Sequence, residues 1–226
     1  MLSILIPCYN EEASITKSVN KISDWSRKNN LTIQLIIVNN GSTDSTLKEL
    51  DGIESREEIL ILNENSKGKG HAIKKGLEYS KYKKVLILDA DLSTDISEFN
   101  LDWINKDNVL IIGSRPLGSE LKTPRMRKIS GFILNLLIRK IFNLKIRDTQ
   151  CGFKYISSDK IKKIVSELTF GGFIYDLDLI LLSIKLGIEI EEVPVKYVFD
   201  KNSSVSLLRD PFLMLKDIYR INKKYK

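Results

Sequence analysis

Two hydrophobic patterns alternate along the first half of the chain. Short, mostly apolar runs that end in a polar turn predict strands buried on both faces. These runs cover residues 3–6, 31–38, 59–62, 85–88 and 109–112. Between them, apolar residues recur at helical spacing and predict helices. The first helix is marked by Ile15, Val19, Ile22 and Trp25, with Asn10 as its expected N-cap. Other helices are predicted at 44–53, from the 65–71 segment to about residue 80, and at 96–104. This alternation predicts an α/β fold with a doubly wound, mostly parallel sheet flanked by helices.

The second half of the chain is less regular. Residues 129–145 are rich in Ile, Leu and Phe but carry Arg139 and Lys140 inside the segment. Beyond it, the pattern predicts helices at 158–168 and 174–186, a strand at 188–199 interrupted by Pro194, and an amphipathic basic helix at 211–226. A chain of 226 residues buries a sizeable core, and we expect all these elements to form one domain.

Composition narrows the class of protein without choosing a function. Apolar residues make up 42% of the chain and charged residues 29%, which is ordinary for a globular domain. Thirty-six basic and 29 acidic residues give a net charge of +7, which suits anionic partners such as nucleotides, phospholipid head groups or nucleic acid. Cys8 and Cys151 lie far apart without metal-type spacing, so we expect a reducing compartment and no disulfide.

The apolar segments are short compared with membrane spans. None approaches the roughly 20 residues that cross a bilayer. The first residues carry no basic region and the apolar run breaks at Pro7, so they predict a first strand and not a signal peptide.

Polar clusters follow the predicted strands. They occupy residues 9–11, 39–44, 67–70 and 89–91, and Arg115 follows the fifth strand. In open α/β sheets, ligands bind outside the carboxyl ends of the strands. We therefore expect these five stretches to meet at one edge of the sheet and to form a binding site there.

The Asp89-Ala90-Asp91 cluster has the chemistry of a metal site. Two carboxylates two residues apart project the same way from extended backbone, and hard oxygen ligands suit Mg²⁺ or Mn²⁺ that carries a substrate's phosphates. The alternative is that both aspartates only form a turn and cap the next helix.

The Lys67-Gly-Lys-Gly70 cluster matches neither a P-loop nor a Rossmann glycine pattern. Its glycines would let backbone amides approach a diphosphate at the start of a helix; the alternative is a flexible basic loop. His71, the only histidine, receives no role. The chain contains no Gly-x-Ser-x-Gly sequence, so a hydrolase with that motif is not indicated.

Taken in order, these motifs resemble the inverting glycosyltransferases that use sugar nucleotides. The resemblance is carried by 6–11 (Ile-Pro-Cys-Tyr-Asn-Glu), 39–44 (Asn-Asn-Gly-Ser-Thr-Asp), 67–70, 89–91 and 113–115 (Gly-Ser-Arg). The stretch 146–154, Ile-Arg-Asp-Thr-Gln-Cys-Gly-Phe-Lys, is similar to the dolichyl-phosphate β-glucosyltransferase branch and less so to the dolichyl-phosphate mannosyltransferase branch. The likeness continues through 175–178 and 192–195.

The resemblance implies a fold and a set of site residues. The fold is the A-type glycosyltransferase fold of nucleotide-diphospho-sugar transferases, with residues 1–115 as the nucleotide-sugar half, 116–210 as the acceptor half and 211–226 as a C-terminal helix. The implied donor residues are Pro7, Tyr9, Glu11 and Asn39 around the nucleoside, Lys69 and Gly70 near the donor, and Asp89, Ala90 and Asp91 at the diphosphate, where Asp89 and Asp91 hold Mg²⁺ or Mn²⁺. The implied catalytic residues are Asp91 with Arg115 and Arg127, which grip the acceptor phosphate.

The implied reaction is metal-dependent, inverting transfer of one hexose to a polyprenyl or dolichyl phosphate. UDP-glucose is favoured as donor and GDP-mannose comes next. A phosphate monoester is largely ionised near neutral pH, with a second pKa of about 6, so it attacks without a strong general base. We expect a cytoplasmic protein, peripheral at the cytoplasmic face of a membrane, with a membrane-anchored partner subunit as a further prediction and no nucleic acid partner.

The segment 129–145 offers a route to a lipid acceptor. Its apolar side chains would lie in the membrane interface while its basic side chains meet anionic head groups. The apolar set is Ile129, Phe132, Ile133, Leu136, Leu137, Ile141 and Phe142, and the basic set is Lys128, Arg139, Lys140 and Lys145. The alternative is a core helix, and the 211–226 helix would either dock similarly or pack on the sheet.

Two departures from the family pattern bear on the donor. Asn39-Asn40 stands where the family often has two aspartates. The amides lack the negative charge of aspartate, and this difference affects the selectivity for the nucleobase. Residues 203–206, Ser-Ser-Val-Ser, stand where a late Gly-Ser-Lys is frequent, so a basic residue that closes over the diphosphate is missing there.

Three other functions remain open from the sequence. A transferase of the same fold acting on a sugar hydroxyl would need a catalytic base near Asp176 and Asp178. A sugar-phosphate nucleotidyltransferase would need a glycine-rich Arg-Lys signature that the first loop lacks. A non-catalytic binder is disfavoured because Asp89 and Asp91 are both retained.

Overall fold

The computed structural model describes residues 1–53, 58–121, 123–169, 171–172, 174–199 and 210–226. Its strands are β1 Leu2–Cys8, β2 Ile33–Asn39, β3 Glu58–Asn63, β4 Lys84–Ile87, β5 Val109–Leu121, β6 Lys154–Ser157 and β7 Glu189–Val198. Its α-helices are α1 Ile15–Lys28, α2 Thr46–Asp51, α3 Lys69–Glu78, α4 Arg125–Phe142, α5 Ile161–Glu167, α6 Tyr175–Lys185 and α7 Asp210–Tyr225. Short 3₁₀ helices span Ile96–Glu98 and Leu101–Asn105.

In the described part of the chain the strands form one mostly parallel sheet in the order β3-β2-β1-β4-β6-β5-β7. β1 pairs in parallel with β2 and β4, β2 with β3, and β5 with β7. β6 lies between β4 and β5 and runs antiparallel to both. All strands except β6 therefore end at the same edge of the sheet, which confirms the predicted fold class.

Apolar layers cover both faces of the sheet. On one face α1 packs through Ile15 and Val19, and the 3₁₀ segment packs through Phe99 and Trp103. On the other face α3, α5 and α6 pack through residues such as Ile73, Ile164 and Leu179. This double coverage is why the central strands are continuous apolar runs and do not alternate in polarity.

A third apolar cluster joins α4, α6 and α7. Ile138 of α4 packs with Leu177 of α6 and with Ile218 and Ile221 of α7. The cluster fastens α7 to the body of the protein. It also gives α4 one face that is fixed against the fold.

β6 is a strand that the sequence analysis did not predict. Residues Lys154–Ser157 form an antiparallel strand that the hydrophobic pattern did not indicate. The run is only four residues long and begins with a lysine, which is rarely buried. Lys154 is nevertheless fully buried.

Two further local predictions were wrong. Asn10 is not the N-cap of α1, because it adopts a left-handed backbone (φ 57°) four residues before the cap at Ser14. The predicted helix at 96–104 is two 3₁₀ helices, each begun by an Asp or Asn side chain that accepts from the backbone.

β5 extends well beyond its predicted end. It runs on to Leu121, so Arg115 lies inside the strand and not just after it. β5 pairs with β6 only as far as Ile112, and its register with β7 shifts between Ser114 and Ser119. Arg115 therefore sits at an irregularity, where a strand often redirects a side chain.

The described helices include none that is both long enough and apolar enough to cross a bilayer.

Candidate active site

The loops after β1 and β2 are joined by hydrogen bonds at the carboxyl edge of the sheet. The Asn10 amide oxygen accepts from the backbone nitrogen of Thr43 (2.8 Å), and the Asn10 backbone nitrogen donates to Ser42 Oγ (3.0 Å). The Glu11 backbone nitrogen donates to Thr46 Oγ1 (2.8 Å). Asparagine tolerates the left-handed conformation that this junction requires. The two predicted nucleoside-side loops therefore do meet.

Tyr9 and Pro7 differ in how accessible they are to a ligand. Pro7 is buried within β1. Tyr9, just beyond the strand, is 45% exposed. An exposed aromatic ring at this edge is a surface on which a nucleobase can stack.

Asn39 and Asn40 connect the end of β2 to the loop after β3. Asn39 Nδ2 donates to Asn63 Oδ1 (2.9 Å), and Asn40 Nδ2 donates to the Ser66 carbonyl (2.8 Å). Asn40 Oδ1 also accepts from the Gly68 backbone nitrogen (2.8 Å). A carboxylate accepts only, so aspartate could not make the two donor contacts. The two asparagines therefore match the acceptors that this chain places opposite them.

The start of α3 is pressed against the segment at Gly171. The Gly70 backbone nitrogen donates to the Gly171 carbonyl (2.8 Å). A Cβ on Gly68 would lie 2.2 Å from that same carbonyl oxygen, and φ at Gly68 is 126°. Only glycine fits both the contact and the backbone angle. Lys69, the next residue, is thereby directed toward β4.

Asp89 forms an ion pair with Lys69 at the end of β4. Its side chain is 33% exposed, so it is open to a ligand. Burial disfavours its charge, but the cation of Lys69, with smaller contributions from Lys154 and Arg115, outweighs burial and holds the pKa of Asp89 below its usual value. Asp89 is therefore a carboxylate at neutral pH.

Gly152 packs directly against Asp89. A Cβ at position 152 would lie 1.9 Å from the nearer carboxylate oxygen. Gly152 belongs to the loop between α4 and β6, so this loop forms one wall of the acidic site. The wall is made of backbone, which leaves space for the carboxylate and fixes its position.

Asp91 also has a structural role. Its Oδ1 accepts from the Ser93 backbone nitrogen (2.9 Å) and its Oδ2 accepts from Ser93 Oγ (2.5 Å), a turn that the sequence analysis held as the alternative. Between the two aspartates, the buried Ala90 accepts through its carbonyl from Ser18 Oγ (2.6 Å). The acidic segment is thus fixed to α1 and to its own turn.

Asp89 and Asp91 fit one type of metal site. Within the described ranges, no group of three or more His, Cys, Asp or Glu side chains could hold a metal ion. Mg²⁺ bound with a substrate usually needs less, namely one or two carboxylates together with the substrate's phosphates and water. Two carboxylates at the open edge of the sheet meet that requirement.

Arg115 is held by Asp148. Arg115 Nε lies 2.6 Å from Asp148 Oδ2, and Nη2 lies 2.9 Å from Oδ1, a bidentate pair. Burial raises the pKa of Asp148, but Arg115 outweighs burial and lowers it. The Arg115 guanidinium also lies over the Tyr197 ring, 5.3 Å from its centre. Its Nη1 is not used by Asp148 and remains a donor on the same side of the sheet.

Arg127 lies in α4, but its side chain is outside the described part of the structure. Its role at the acceptor therefore stays a prediction. Residues 203–206, with the missing Gly-Ser-Lys, also lie outside the described residues.

Lys154 and Asp176 form a buried ion pair that the sequence analysis missed. Lys154 Nζ donates to Asp176 Oδ1 (2.5 Å) and to the Cys151 carbonyl. Its charge also helps to lower the pKa of Asp89. The only sequence signal was a lysine between Phe153 and Tyr155, where an apolar residue would be expected.

Asp178 is used to dock α7. It accepts from Lys224 Nζ (2.7 Å), Tyr225 Oη (2.7 Å) and the Thr169 backbone nitrogen (2.9 Å), and it is fully buried. Asp176 is likewise buried in its pair with Lys154. Neither carboxylate is placed to act as a general base on a sugar hydroxyl.

A cavity of about 390 Å³ opens beside Arg115, between α4 and the outer part of β5 and β7. Basic side chains dominate its charge, with one carboxylate among them, and apolar side chains form the rest of its wall. The charged residues are Arg115, Lys128, Arg139, Arg147 and Asp148; the apolar ones include Phe132, Leu136 and Phe199.

Residues 3–165 match the sequence profile of Glycosyl transferase family 2. The chain belongs to this family. The matched region of this family 2 glycosyltransferase extends from β1 to α5. It contains Tyr9, the Asp89–Asp91 segment and the Arg115–Asp148 pair.

The curated relatives of this glycosyltransferase include several enzymes that share one name. The chain is 29% identical over 244 residues to the dolichyl-phosphate beta-glucosyltransferase of Dictyostelium discoideum, covering 99% of this chain and 74% of that protein. It is 30% identical over 250 residues to the Saccharomyces cerevisiae enzyme of the same name, covering 99% and 75%.

Solved structures share the fold. Glucosyl-3-phosphoglycerate synthase from Mycobacterium tuberculosis, determined with Mn²⁺, UDP-glucose and glycerol 3-phosphate, superposes with a TM-score of 0.66 at 18% identity, covering 97% of this chain and 76% of that one. At this identity the likeness supports the A-type glycosyltransferase fold.

Proposed function

We propose that this family 2 glycosyltransferase transfers glucose from UDP-glucose to the phosphate of a polyprenyl phosphate. The names of the relatives support the sugar and the acceptor class. One structural observation carries the proposal: the loop between α4 and β6 contacts both sides, because Gly152 packs against Asp89 and Asp148 pairs with Arg115. The acidic donor site and the basic acceptor cavity are therefore neighbours.

The donor side is formed by the loops after β1, β2 and β4. The exposed ring of Tyr9 stacks on the base, and the loop held by Asn39 closes the nucleoside pocket, with Pro7 and Glu11 beside it. Lys69 and Gly70 approach the diphosphate from the start of α3. Asp89 and Asp91 would hold Mg²⁺ or Mn²⁺, which would offset the negative charge of the leaving diphosphate.

The acceptor side suits a phosphate better than a sugar hydroxyl. An ionised phosphate oxygen attacks the anomeric carbon, the bond from that carbon to the diphosphate oxygen breaks, and the nucleoside diphosphate leaves with the bonding electrons. No proton has to be removed from the nucleophile. The burial of Asp176 and Asp178 in ion pairs is consistent with this, because neither is needed as a base. Attack opposite the leaving group inverts the anomeric centre.

Arg115 and Arg127 orient the acceptor phosphate. Asp148 fixes the Arg115 guanidinium and leaves Nη1 for the ligand. Placement of two anionic reactants is the main catalytic demand of this reaction, and a preorganised arginine meets it without reorganisation.

A membrane-facing surface on α4 gives access to a lipid acceptor. Phe132 and Ile133 are 67% and 58% exposed, and Ile129 and Met126 lie exposed beside them. Leu137 and Phe142, grouped with them in the sequence analysis, instead pack on the third apolar cluster. We place this surface in the interface at the cytoplasmic face of a membrane. A membrane-anchored partner subunit stays a prediction.

A transfer assay tests the proposal. Purified protein is incubated with Mn²⁺ or Mg²⁺, a short polyprenyl phosphate, and either UDP-glucose or GDP-mannose. We expect glucosyl polyprenyl phosphate as the main product and no product with EDTA.

Substitution of the acidic pair adds the residue-level test. We expect Asp91→Ala to abolish transfer and Asp102→Ala, a change at an exposed aspartate outside the site, to leave it intact. Transfer to a sugar hydroxyl without use of polyprenyl phosphate would refute the proposal and favour the polysaccharide or glycoprotein alternative.

A further inference from the structure

Two hydrogen-bond donors in the wall of the α4 cavity have no partner among the described residues. They are the Nε of Arg139 and the Oγ1 of Thr123, and both atoms are buried. A buried donor left without an acceptor costs about 1–3 kcal/mol, more for a charged group, so such groups are uncommon without a reason. Both residues line the same cavity.

The positive charge of the cavity lining favours an anionic ligand. Arg139 shares it with Arg115, Lys128 and Arg147, and Asp148 is its only lining carboxylate in the described structure. Asp148 is already paired with Arg115 through both of its oxygens. Four cations against one engaged carboxylate suit a dianion better than a singly charged group.

The wall of the cavity also continues into an apolar surface. Phe132 and Leu136 line the cavity, and both are exposed on the outer face of α4. A ligand that fits is therefore a phosphate whose remaining part is apolar and leaves along α4. A phosphate monoester on a hydrocarbon chain carries close to two negative charges near neutral pH, whereas the phosphodiester of a phospholipid carries one.

We infer that Arg139 is a phosphate-binding residue for a lipid phosphate monoester, whose head occupies the cavity and whose chain leaves along Phe132 and Leu136. The inference rests on the proposed function, in which this lipid is the polyprenyl phosphate acceptor. It places a cation of α4 in the acceptor site in addition to Arg115 and Arg127. The adjacent Lys140 is exposed and is not part of the cavity wall.

Arg139→Gln and Lys140→Gln form a matched pair for a binding test. Each removes one positive charge from the same turn of α4, so general attraction to an anionic surface falls equally in both. Vesicles of phosphatidylcholine are prepared alone, with a few mole percent of polyprenyl phosphate, or with phosphatidylglycerol at equal mole percent, and bound protein is measured by flotation.

We expect Arg139→Gln to weaken binding to the polyprenyl phosphate vesicles roughly tenfold or more, since hydrogen bonds to charged groups contribute that much. Lys140→Gln should lose there only the general attraction that follows from one missing charge, and the two variants should be alike on phosphatidylglycerol. Equal behaviour of the variants on all vesicles would overturn the inference. A selective loss on phosphatidylglycerol would overturn it as well, because it would indicate a phospholipid head-group site.

Kinetics separate this role from a structural one. Arg139→Gln should raise the KM for polyprenyl phosphate and leave the KM for UDP-glucose unchanged, and Arg139→Lys should recover part of the loss because it restores the charge. An equal change in both KM values, or no recovery with lysine in a folded protein, would contradict the role. If the wild type transfers no sugar to polyprenyl phosphate, the proposed function fails, and the vesicle comparison still decides whether Arg139 binds the phosphate.

Discussion

At the scale of single residues, Gly152 sets the position of Asp89. Its backbone lies so close to the carboxylate that a methyl group cannot be added without displacing one of them. Gly152→Ala should therefore move Asp89 away from its place at the proposed donor site. A misplacement of about 1 Å at a reacting centre can cost roughly 100-fold in rate, and we expect a loss of that order in glucosyl transfer.

A second glycine supplies the control for this prediction. A Cβ on Gly52, at the end of α2, would meet only ordinary contacts. Gly52→Ala should transfer at the wild-type rate, and circular dichroism should show both variants folded. If Gly152→Ala is folded and fully active, the tight wall around Asp89 has no functional importance.

For Asn39 and Asn40, the sequence predicts the position in the fold but not the hydrogen-bond partners. Their positions after a strand were sufficient to place them at the carboxyl edge of the sheet. Their hydrogen bonds to Asn63 and Ser66 were not predictable, because those partners lie at the end of β3 and in the loop after it, more than 20 residues away. The loss of charge relative to aspartate is compensated by donors that aspartate lacks.

At the scale of elements, the Asp148–Arg115 pair ties the loop between α4 and β6 to β5. Removing one partner of a buried ion pair leaves an uncompensated charge and typically costs about 3–5 kcal/mol. We expect Asp148→Asn to lower the free energy of unfolding by about 3 kcal/mol at pH 7, measured by urea denaturation. The control is Asp24→Asn, which breaks a surface pair with Arg27 and should change stability little.

The same pair predicts a pH dependence. The folded protein lowers the pKa of Asp148, so the unfolded state binds a proton more readily and the pair stabilises the fold above the unfolded pKa of about 3.9. As the pH falls through the folded pKa, this contribution is lost. The stability difference between the wild type and Asp148→Asn should therefore shrink below about pH 4; a constant difference down to pH 2 would contradict the assignment.

Most elements could be predicted from the sequence because the parallel strands are buried on both faces. Their apolar runs are continuous, and each is separated from the next by a helix. β6 gives no such signal, since it is inserted antiparallel between β4 and β5 and begins with the buried Lys154. The buried lysine is stabilised there by Asp176 and by the Cys151 carbonyl, and the pairing with Asp176 depends on tertiary structure.

At the scale of the whole molecule, α4 presents apolar side chains to both sides. Its inner face joins α6 and α7, and its outer face carries Phe132 and Ile133 into solvent. Phe132→Ser with Ile133→Ser should weaken binding to phosphatidylcholine vesicles roughly tenfold or more, because each large apolar side chain contributes about 1.5–3 kcal/mol when buried. Sedimentation of the protein with vesicles measures the change.

Ile184 provides the comparison for α4. It is 46% exposed and belongs to α6, a different helix. Ile184→Ser should leave vesicle binding unchanged. Equal weakening by both changes would mean that exposed apolar area in general, and not the α4 surface, causes the binding.

The molecule as a whole gathers its polar loops at one edge because all strands except β6 end there. The sequence was sufficient to predict this convergence, and hydrogen bonds and ion pairs at Asn10, Asn40 and Lys69 join the loops in pairs. It did not predict the cavity beside α4, because that cavity forms between a helix and two distant strands. The proposed function rests above all on the claim that Asp89 and Asp91 form a metal-dependent donor site.

Calorimetric titration with UDP-glucose tests that claim most directly. The wild type and Asp91→Asn are titrated in Mn²⁺ and again in EDTA, with Asp102→Asn as the control. We predict that Mn²⁺ strengthens donor binding to the wild type and to Asp102→Asn, and that Asp91→Asn loses this strengthening. Binding that is equally strong in EDTA, or that Asp91→Asn leaves fully metal-dependent, would contradict a donor site centred on Asp89 and Asp91.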